Sequence, residues 1–249
     1  MIPLLPGPAF LPHLASLLHE DQEFAALRPI TPEAVSEVCR HGYMPMGLGG
    51  EQPDILLVKC HHRRMVLNLD ELHVPRNVAR YARGLTVSVD QHFSEVLAEI
   101  DRYHGDSWIS PALARALSSL HEQPIHGVSV HSVEIGDAAA SRDAPPVAAE
   151  IGYTVGAAYT SLSGYHTRNG SGWVQMVALG QILRARHAAF WDLGMDIPYK
   201  RRLGAHPVAR DEFLQRYHAA ATATGATENP RALLQPDGPV SARELIARA

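Results

Sequence analysis

Residues 191–214 read WDLGMDIPYKRRLGAHPVARDEFL. The chain enters this segment from an apolar run, Ala188 through Phe190 to Leu193, which predicts a buried strand. The run breaks at Gly194, a residue that lets backbone come close to another group. Asp192 stands just before the break. Lys200-Arg201-Arg202 follow it, then Leu203-Gly204-Ala205, then a helix-opening run from Arg210 to Leu214. Strand, acid, glycine, basic loop and helix form a layout that suits a site. A buried strand ending at a turn produces the same letters, with Asp192 capping that turn, and the local sequence alone favours this plainer reading.

Outward from this segment, composition narrows the class. The chain has 249 residues, 46% hydrophobic and 19% charged, enough for a sizeable core and incompatible with global disorder. A formal charge of -4 argues against indiscriminate binding to nucleic acid or membrane, but leaves room for a local basic patch. The 15 histidines move the balance toward zero as they protonate below about pH 6.5. Cys39 and Cys60 are the only cysteines and form no C-x-x-C, so the expected compartment is reducing and cytoplasmic. The apolar N-terminus is punctuated by proline and has no Lys or Arg ahead of its Leu/Ala run, which argues against a secretory signal. No uninterrupted apolar run reaches membrane-spanning length.

Element by element, residues 1–30 read as an irregular arm. Thr31-Pro32-Glu33 opens a helix that ends at Gly42. Residues 43–50 read as a loop. The segments 55–58 and 65–67 read as a strand pair, and a helical segment carries Arg76, Arg80 and Arg83. Leu85, Val87 and Val89 alternate as a strand, with Asp90 able to cap the helix that follows. Ser110-Pro111 opens another helix. The segments 127–135 and 147–161 form an expected hairpin around a long solvated tip. A buried helix over 171–188 leads into a strand over 188–196, and the helix after Arg210 ends near Ala219. Beyond it comes a loose tail, with a capping box at Ser241 and Glu244. This order is α+β, organised around a central sheet. The expected division is a small α/β unit over 1–72, a transferase domain over 73–219 and a tail over 220–249.

Six segments, in order, resemble the bacterial leucyl/phenylalanyl-tRNA–protein transferases. They are Arg40-His41-Gly42-Tyr43-Met44-Pro45, Asp70-Glu71-Leu72-His73-Val74 with Arg76, Ser107-Trp108-Ile109-Ser110, and His131-Ser132-Val133-Glu134. The last two are Asp192 with Met195, and Leu203-Gly204-Ala205 with Arg210 and Phe213-Leu214. The resemblance covers about residues 30–217. It implies a GNAT-type acyltransferase domain that moves an apolar, Leu/Phe-like aminoacyl group from charged tRNA to an N-terminal α-amine. The chain departs from the family where its Glu, Gln and paired tryptophans fall: Leu162, Gly194 and the segment Val58-Lys59-Cys60-His61 stand there. These departures keep open two alternatives, a small-molecule amine as acceptor and a non-catalytic tRNA- or peptide-binding relative.

The resemblance also implies roles for particular residues. Asp192 orients or deprotonates the amine, with Ser163 or Asp196 able to share the network that Gly194 cannot. Trp108 stacks on the terminal adenine or is a core residue. Tyr159, Tyr165 and Met195 line an apolar aminoacyl pocket or pack the core. Glu134 holds polar geometry, and His131 reads as structural. Lys59, Arg63, Arg64, Arg76, Arg80, Arg83, Lys200, Arg201 and Arg202 are phosphate contacts or a solvated face. Aminoacyl-tRNA is an activated ester, so no cofactor is expected. Adjacent histidines on a strand point to opposite faces, so Cys60-His61-His62 is not read as a metal site. Arg168-Asn169-Gly170-Ser171-Gly172 is out of step with an acetyl-CoA pyrophosphate loop.

Overall fold

In the computed structural model, which describes residues 2–19, 21–48, 54–105, 108–141, 143–223, 233–234 and 239–247, the Pro-rich first segment is ordered by a neighbour. A 3-10 turn over Pro8–His13 and helix α1 (Leu14–Leu17) lead into strand β1 (Phe24–Leu27). Helix α2 (Pro32–Arg40) starts as its letters suggest, with Thr31 Oγ1 accepting from the Ala34 N–H at 3.1 Å. Strand β2 (Met44–Gly47) replaces the expected loop, and β3 (Leu56–Lys59) lies between β1 and β2 in a three-stranded sheet. Both corrections have one cause: β3 offers two edges, and antiparallel pairing outweighs the weak local propensity of FAAL and MPMG.

Strand β4 (Arg63–Leu67) does not pair with β3. It enters a second, eight-stranded sheet, so the division expected at residue 72 does not follow the sheets. Its residues explain why. Met65 and Leu67 enter one core and Val66 the other, which makes β4 a central strand covered on both faces. After the short helix α3 (Val78–Tyr81), β5 (Leu85–Val89) alternates as expected. Helices α4 (Phe93–His104) and α5 (Pro111–Glu122) follow. Asp90 does not cap α4. Its carboxylate instead accepts the Ser132 N–H at 3.0 Å and meets His131 Nδ1 at 2.9 Å.

Strands β6 (Val128–Asp137) and β7 (Ala148–Val155) form the expected hairpin. The turn at Gly156, whose φ is +55°, then starts a further strand, β8 (Ala158–His166). Helix α6 (Ser171–Ala185) is buried along most of its length, and β9 (Phe190–Asp192) is shorter than the apolar run. The basic segment is a helical turn, α7 (Pro198–Arg202), followed by β10 (His206–Ala209) and α8 (Arg210–Ala221). Strand β11 (Val240–Ser241) and helix α9 (Ala242–Ile246) close the described chain, with Ser241 capping α9 as its spacing predicts. Most of the expected loose tail, residues 224–232 and 235–238, lies outside the described residues.

The large sheet runs β10-β4-β9-β8-β7-β6-β5-β11 and is antiparallel except for β8 with β9. The α+β class with a central mixed sheet is therefore the observed one. One core gathers Val66, Phe190, Phe213 and Tyr217; the other gathers Met65, Leu67, Trp191, Leu193 and the inner side of α6. Each fully buried Leu or Val contributes about 1.5–3 kcal/mol. The parallel pair is short: Ala158–Thr160 lie beside Phe190–Asp192 and then the strands part. Strand β8 continues to His166 with β7 alone, while Leu193 and Gly194 stay bonded to Met65 of β4. This fork positions the site.

Candidate active site

Asp192 sits at the fork, fully buried on the side that faces α8. Its Oδ1 accepts from Arg64 Nε at 3.1 Å and from the Gly194 N–H at 2.9 Å. Its Oδ2 accepts from Thr160 Oγ1 at 3.1 Å and from Arg64 Nη2. Gly194 has a φ of +73°, which aims its N–H back at the carboxylate. The Arg64 guanidinium lies 4.8 Å above the Phe213 ring and is 1% exposed. Burial alone would lower the Arg64 pKa, but the charge and hydrogen bonds of Asp192 outweigh it and hold it above the ordinary value. Arg64 Nη1 also donates to His61 Nδ1 at 2.9 Å. Burial, then the nearby cations, push the His61 pKa down to about 2, so this ring is neutral.

Arg64 is therefore not a phosphate contact. The alternation of β4 turns it inward, where Asp192 needs a cation. Lys200 is corrected in the same way. It is buried, and its Nζ donates to Met195 O at 3.0 Å and to Leu193 O, which ties α7 to the turn after β9. Burial lowers its pKa to about 8, against the opposing pull of Asp192 and Glu150.

A cleft of about 500 Å³ opens where β8 leaves β9, on the α6 side of the sheet. Apolar walls come from Tyr165, Trp173, Met176 and Leu193, while the floor is polar, with Glu150, Ser161, Gln175 and Lys200. Glu150 is 6% exposed. Its Oε1 accepts from Tyr159 at 2.9 Å and from Ser161 at 2.7 Å. Trp191 Nε1 donates to Ser161 Oγ at 2.8 Å, so the serine hydrogen is committed to Glu150. Burial raises the Glu150 pKa, and the hydrogen bonds from Ser161, Tyr159 and Gln175 oppose the rise, with the nearby Lys200 charge acting the same way. Glu150 forms no salt bridge among the described residues. Gln175 Nε2 is buried on the same floor and faces the Glu150 carboxylate as its third donor. Among the described residues no cluster of His, Cys, Asp and Glu could hold a metal ion, and no helix is long and apolar enough to cross a membrane.

The expected site residues divide. Ser163 and Tyr165 line the cleft, and Tyr159 lies behind its floor, holding Glu150. Asp192 and Gly194 are at the fork but do not line the cleft. Trp108 is half-buried against the other core. Glu134 is buried, accepting from Ser88 at 2.6 Å and from Ser132. Met195 is 50% exposed and sits 4.0 Å from Lys59 Nζ. His131, between Asp90 and Thr154, is satisfied within the sheet. Ser107 lies outside the described residues.

Arg63, Arg76, Arg80, Arg83, Arg201 and Arg202 are exposed. Arg201 is held by Asp196, with Nε–Oδ1 at 3.0 Å. Arg202 lies 5.0 Å from the ring of Trp173, a wall of the cleft. Arg80 lies 5.2 Å from Tyr81, whose ring fills the space a side chain at Gly170 would occupy on the cleft rim. Sequence reasoning missed Glu150 and Gln175. The available signal was an acid in the otherwise small and apolar run Ala148-Ala149-Glu150-Ile151-Gly152.

A family profile described as leucyl/phenylalanyl-tRNA protein transferase matches residues 66–218. The leucyl/phenylalanyl-tRNA–protein transferase of Rubrobacter xylanophilus is 32% identical over 195 residues, covering 77% of this chain and 95% of that one. The Chromohalobacter salexigens protein of the same name is 30% identical over 221 residues, covering 86% and 82%. Among solved structures, FemX aligns with a TM-score of 0.43 at 13% identity, covering 81% of this chain and 74% of FemX. The chain is thus an aminoacyltransferase by class. It belongs to the leucyl/phenylalanyl-tRNA–protein transferase family.

Proposed function

We propose that this protein transfers an apolar, Leu/Phe-like aminoacyl group from charged tRNA to an amine, most simply the N-terminal α-amine of a protein, in the cytoplasm. Family membership carries this reading. The cleft supports it, because its volume of about 500 Å³ falls in the range of small-molecule sites and suits an aminoacyl group with its ester. Arg202 against Trp173 and Arg80 beside Tyr81 put exposed cations at the rim, where tRNA phosphates would run toward the cleft. Arg76 and Arg83, both exposed, stand on either side of α3 in the chain.

The chemistry needs no outside energy source. The neutral amine attacks the ester carbonyl, an amide bond forms, the bond to the tRNA ribose oxygen breaks, and the amine's proton ends on that oxygen. Holding both reactants in register supplies about 7–11 kcal/mol of the acceleration. Asp192 serves this reaction as a positioning residue. Through Gly194 N–H and Arg64 it fixes the backbone that carries Leu193 into the cleft wall. Ester aminolysis calls for no cofactor.

The test is transfer of radiolabel from charged tRNA into acid-stable peptide, with an Arg-starting peptide and a small primary amine as parallel acceptors. Peptide labelling supports the protein acceptor. Labelling of the small amine alone moves the reading to a small-molecule product, which the loss of the family's Glu and Gln at Leu162 and Gly194 favours. Salt-dependent tRNA binding with no transfer to any acceptor would leave a binding protein.

A further inference from the structure

We propose that Lys200 is the proton shuttle of the transfer reaction, taking a proton from the attacking amine and giving it to the departing ribose oxygen. This rests on the reading of the cleft as the transfer site.

Lys200 belongs to α7, the helical turn that opens at Pro198. Its side chain folds back to the turn after β9 and ends between the carbonyls of Leu193 and Met195, which flank Gly194. Leu193 is an apolar wall of the cleft, and Lys200 lines its floor. An ammonium carries three hydrogens, and the two carbonyls take two of them. Lys200 forms no salt bridge among the described residues, so no carboxylate draws the third away from the cleft.

The same geometry serves both protonation states. The ammonium presents a hydrogen to the cleft. The neutral amine keeps two hydrogens, enough for both carbonyls, and presents its lone pair instead. Moving the proton therefore leaves neither carbonyl without a donor, and the turn has no reason to shift. Burial makes the neutral state accessible, lowering the Lys200 pKa to about 8. Arg64 on β4 acts the same way, while Asp192 on β9, Glu150 on β7 and Asp196 ahead of α7 favour the ammonium. The Tyr199 ring, 5.8 Å from Nζ, also favours it. His61, bonded to Arg64, is neutral. A group whose pKa lies close to the working pH is suited to both giving and taking a proton.

The other buried acids are less suited. Asp192 is sealed by Arg64, and Glu150 already accepts from Tyr159, Ser161 and Gln175. With Lys200 the step balances. The acceptor nitrogen bonds to the ester carbon and its surplus proton passes to the Lys200 lone pair. The bond from that carbon to the ribose oxygen then breaks, and the ammonium returns the proton to that oxygen. Lys200 ends as it began.

The experiment measures single-turnover transfer from Phe-charged tRNA to an Arg-starting peptide, with tRNA binding measured separately. It covers about pH 6–9, the range in which an α-amine titrates. The full chain is compared with Lys200→Met and Lys200→Arg, and both variants are expected to be about 10²–10⁴-fold slower, with tRNA binding unchanged. Arginine keeps donors for both carbonyls but does not release its proton, so it reads the proton step even where Lys200→Met fails to fold. The ratio of parent to variant rates cancels the titration of the acceptor. It is expected to rise with pH and level off above about 8, because the first act needs the neutral amine. An ammonium that only ties the turn predicts the opposite, an advantage lost above that pH. A ratio that is flat or falls, or a Lys200→Arg variant as fast as the parent, overturns the proposal alone. No transfer by the parent overturns it together with the proposed function.

Discussion

Two buried carboxylates flank the same fork and live under opposite rules. Asp192 has a guanidinium, a hydroxyl and a backbone N–H on its two oxygens. Glu150, on the cleft side, has two hydroxyls on one oxygen and no cation bonded to it among the described residues. The first carboxylate is sealed and its charge is answered inside the protein. The second is answered by neutral donors and faces a cavity. Burial alone therefore does not tell the two acids apart; the charge of their partners does.

The largest expected effect comes from breaking the sealed side. Asp192→Ala leaves the Arg64 cation buried and unpaired and is expected to cost about 3–5 kcal/mol. For a chain of this size that lowers Tm by roughly 6–20 °C, measurable by calorimetry. Loss of activity in Asp192→Ala would thus report unfolding. Asp192→Asn, which keeps the shape, is the variant to assay. A smaller loss is expected from Gly194→Ala, about 1–2 kcal/mol, because a side chain at φ +73° is strained and its Cβ meets Met44 Cε at 3.1 Å. Denaturant titration reads it directly.

The two sides also respond to pH with opposite sign. His61, on the Asp192 side, has its pKa pushed from 6.5 down to about 2, so its unfolded form takes a proton that the folded form refuses. The stability this ring contributes is present above pH 6.5 and is lost as pH falls toward 2, with a limiting slope of about 1.4 kcal/mol per unit. Glu150 is raised above 4.5, so its contribution is full below that pH and is lost as pH rises through the raised value. Glu150→Gln keeps an oxygen for Tyr159 and Ser161 and removes the titration. Its stability relative to the parent is expected to climb with pH from about 4.5 and then level off. A difference curve flat across that window would show that the folded carboxyl titrates normally. The smallest effect on stability is expected from Arg202→Ala, within about 0.5 kcal/mol, because the side chain is exposed. Its signature is in tRNA binding, where the salt slope should fall by about 1.

Much of the fold was legible where local rules act alone. The Thr31 and Ser110 caps, the alternation of β5 and the buried face of α6 all follow from their own letters. The failures share a cause. FAAL and MPMG become strands only because β3 lies between them, and β4 leaves its sequence neighbour for partners more than a hundred positions away. The site was legible to the same extent. Asp192 and the glycine after it stood out in the sequence, but their orientation depends on which core β9 turns them toward. Arg64 and Lys200 looked like surface charge because a basic run carries no sign of the acid or carbonyl it will meet. Glu150 was invisible as a site residue because only strand pairing brings it opposite Gly164 and across from α6.

The link between Arg64 and Asp192 spans 128 positions along the chain. Closing a loop of that length costs entropy before any contact repays it, so this pair is expected to form late, once most of the intervening chain has found its place. Contacts made that late are absent from the folding transition state and act on the rate of escape from the native state. The sealed side of the fork is thus a latch on lifetime: weakening it with Asp192→Asn should leave refolding rates nearly unchanged and make the folded enzyme open sooner.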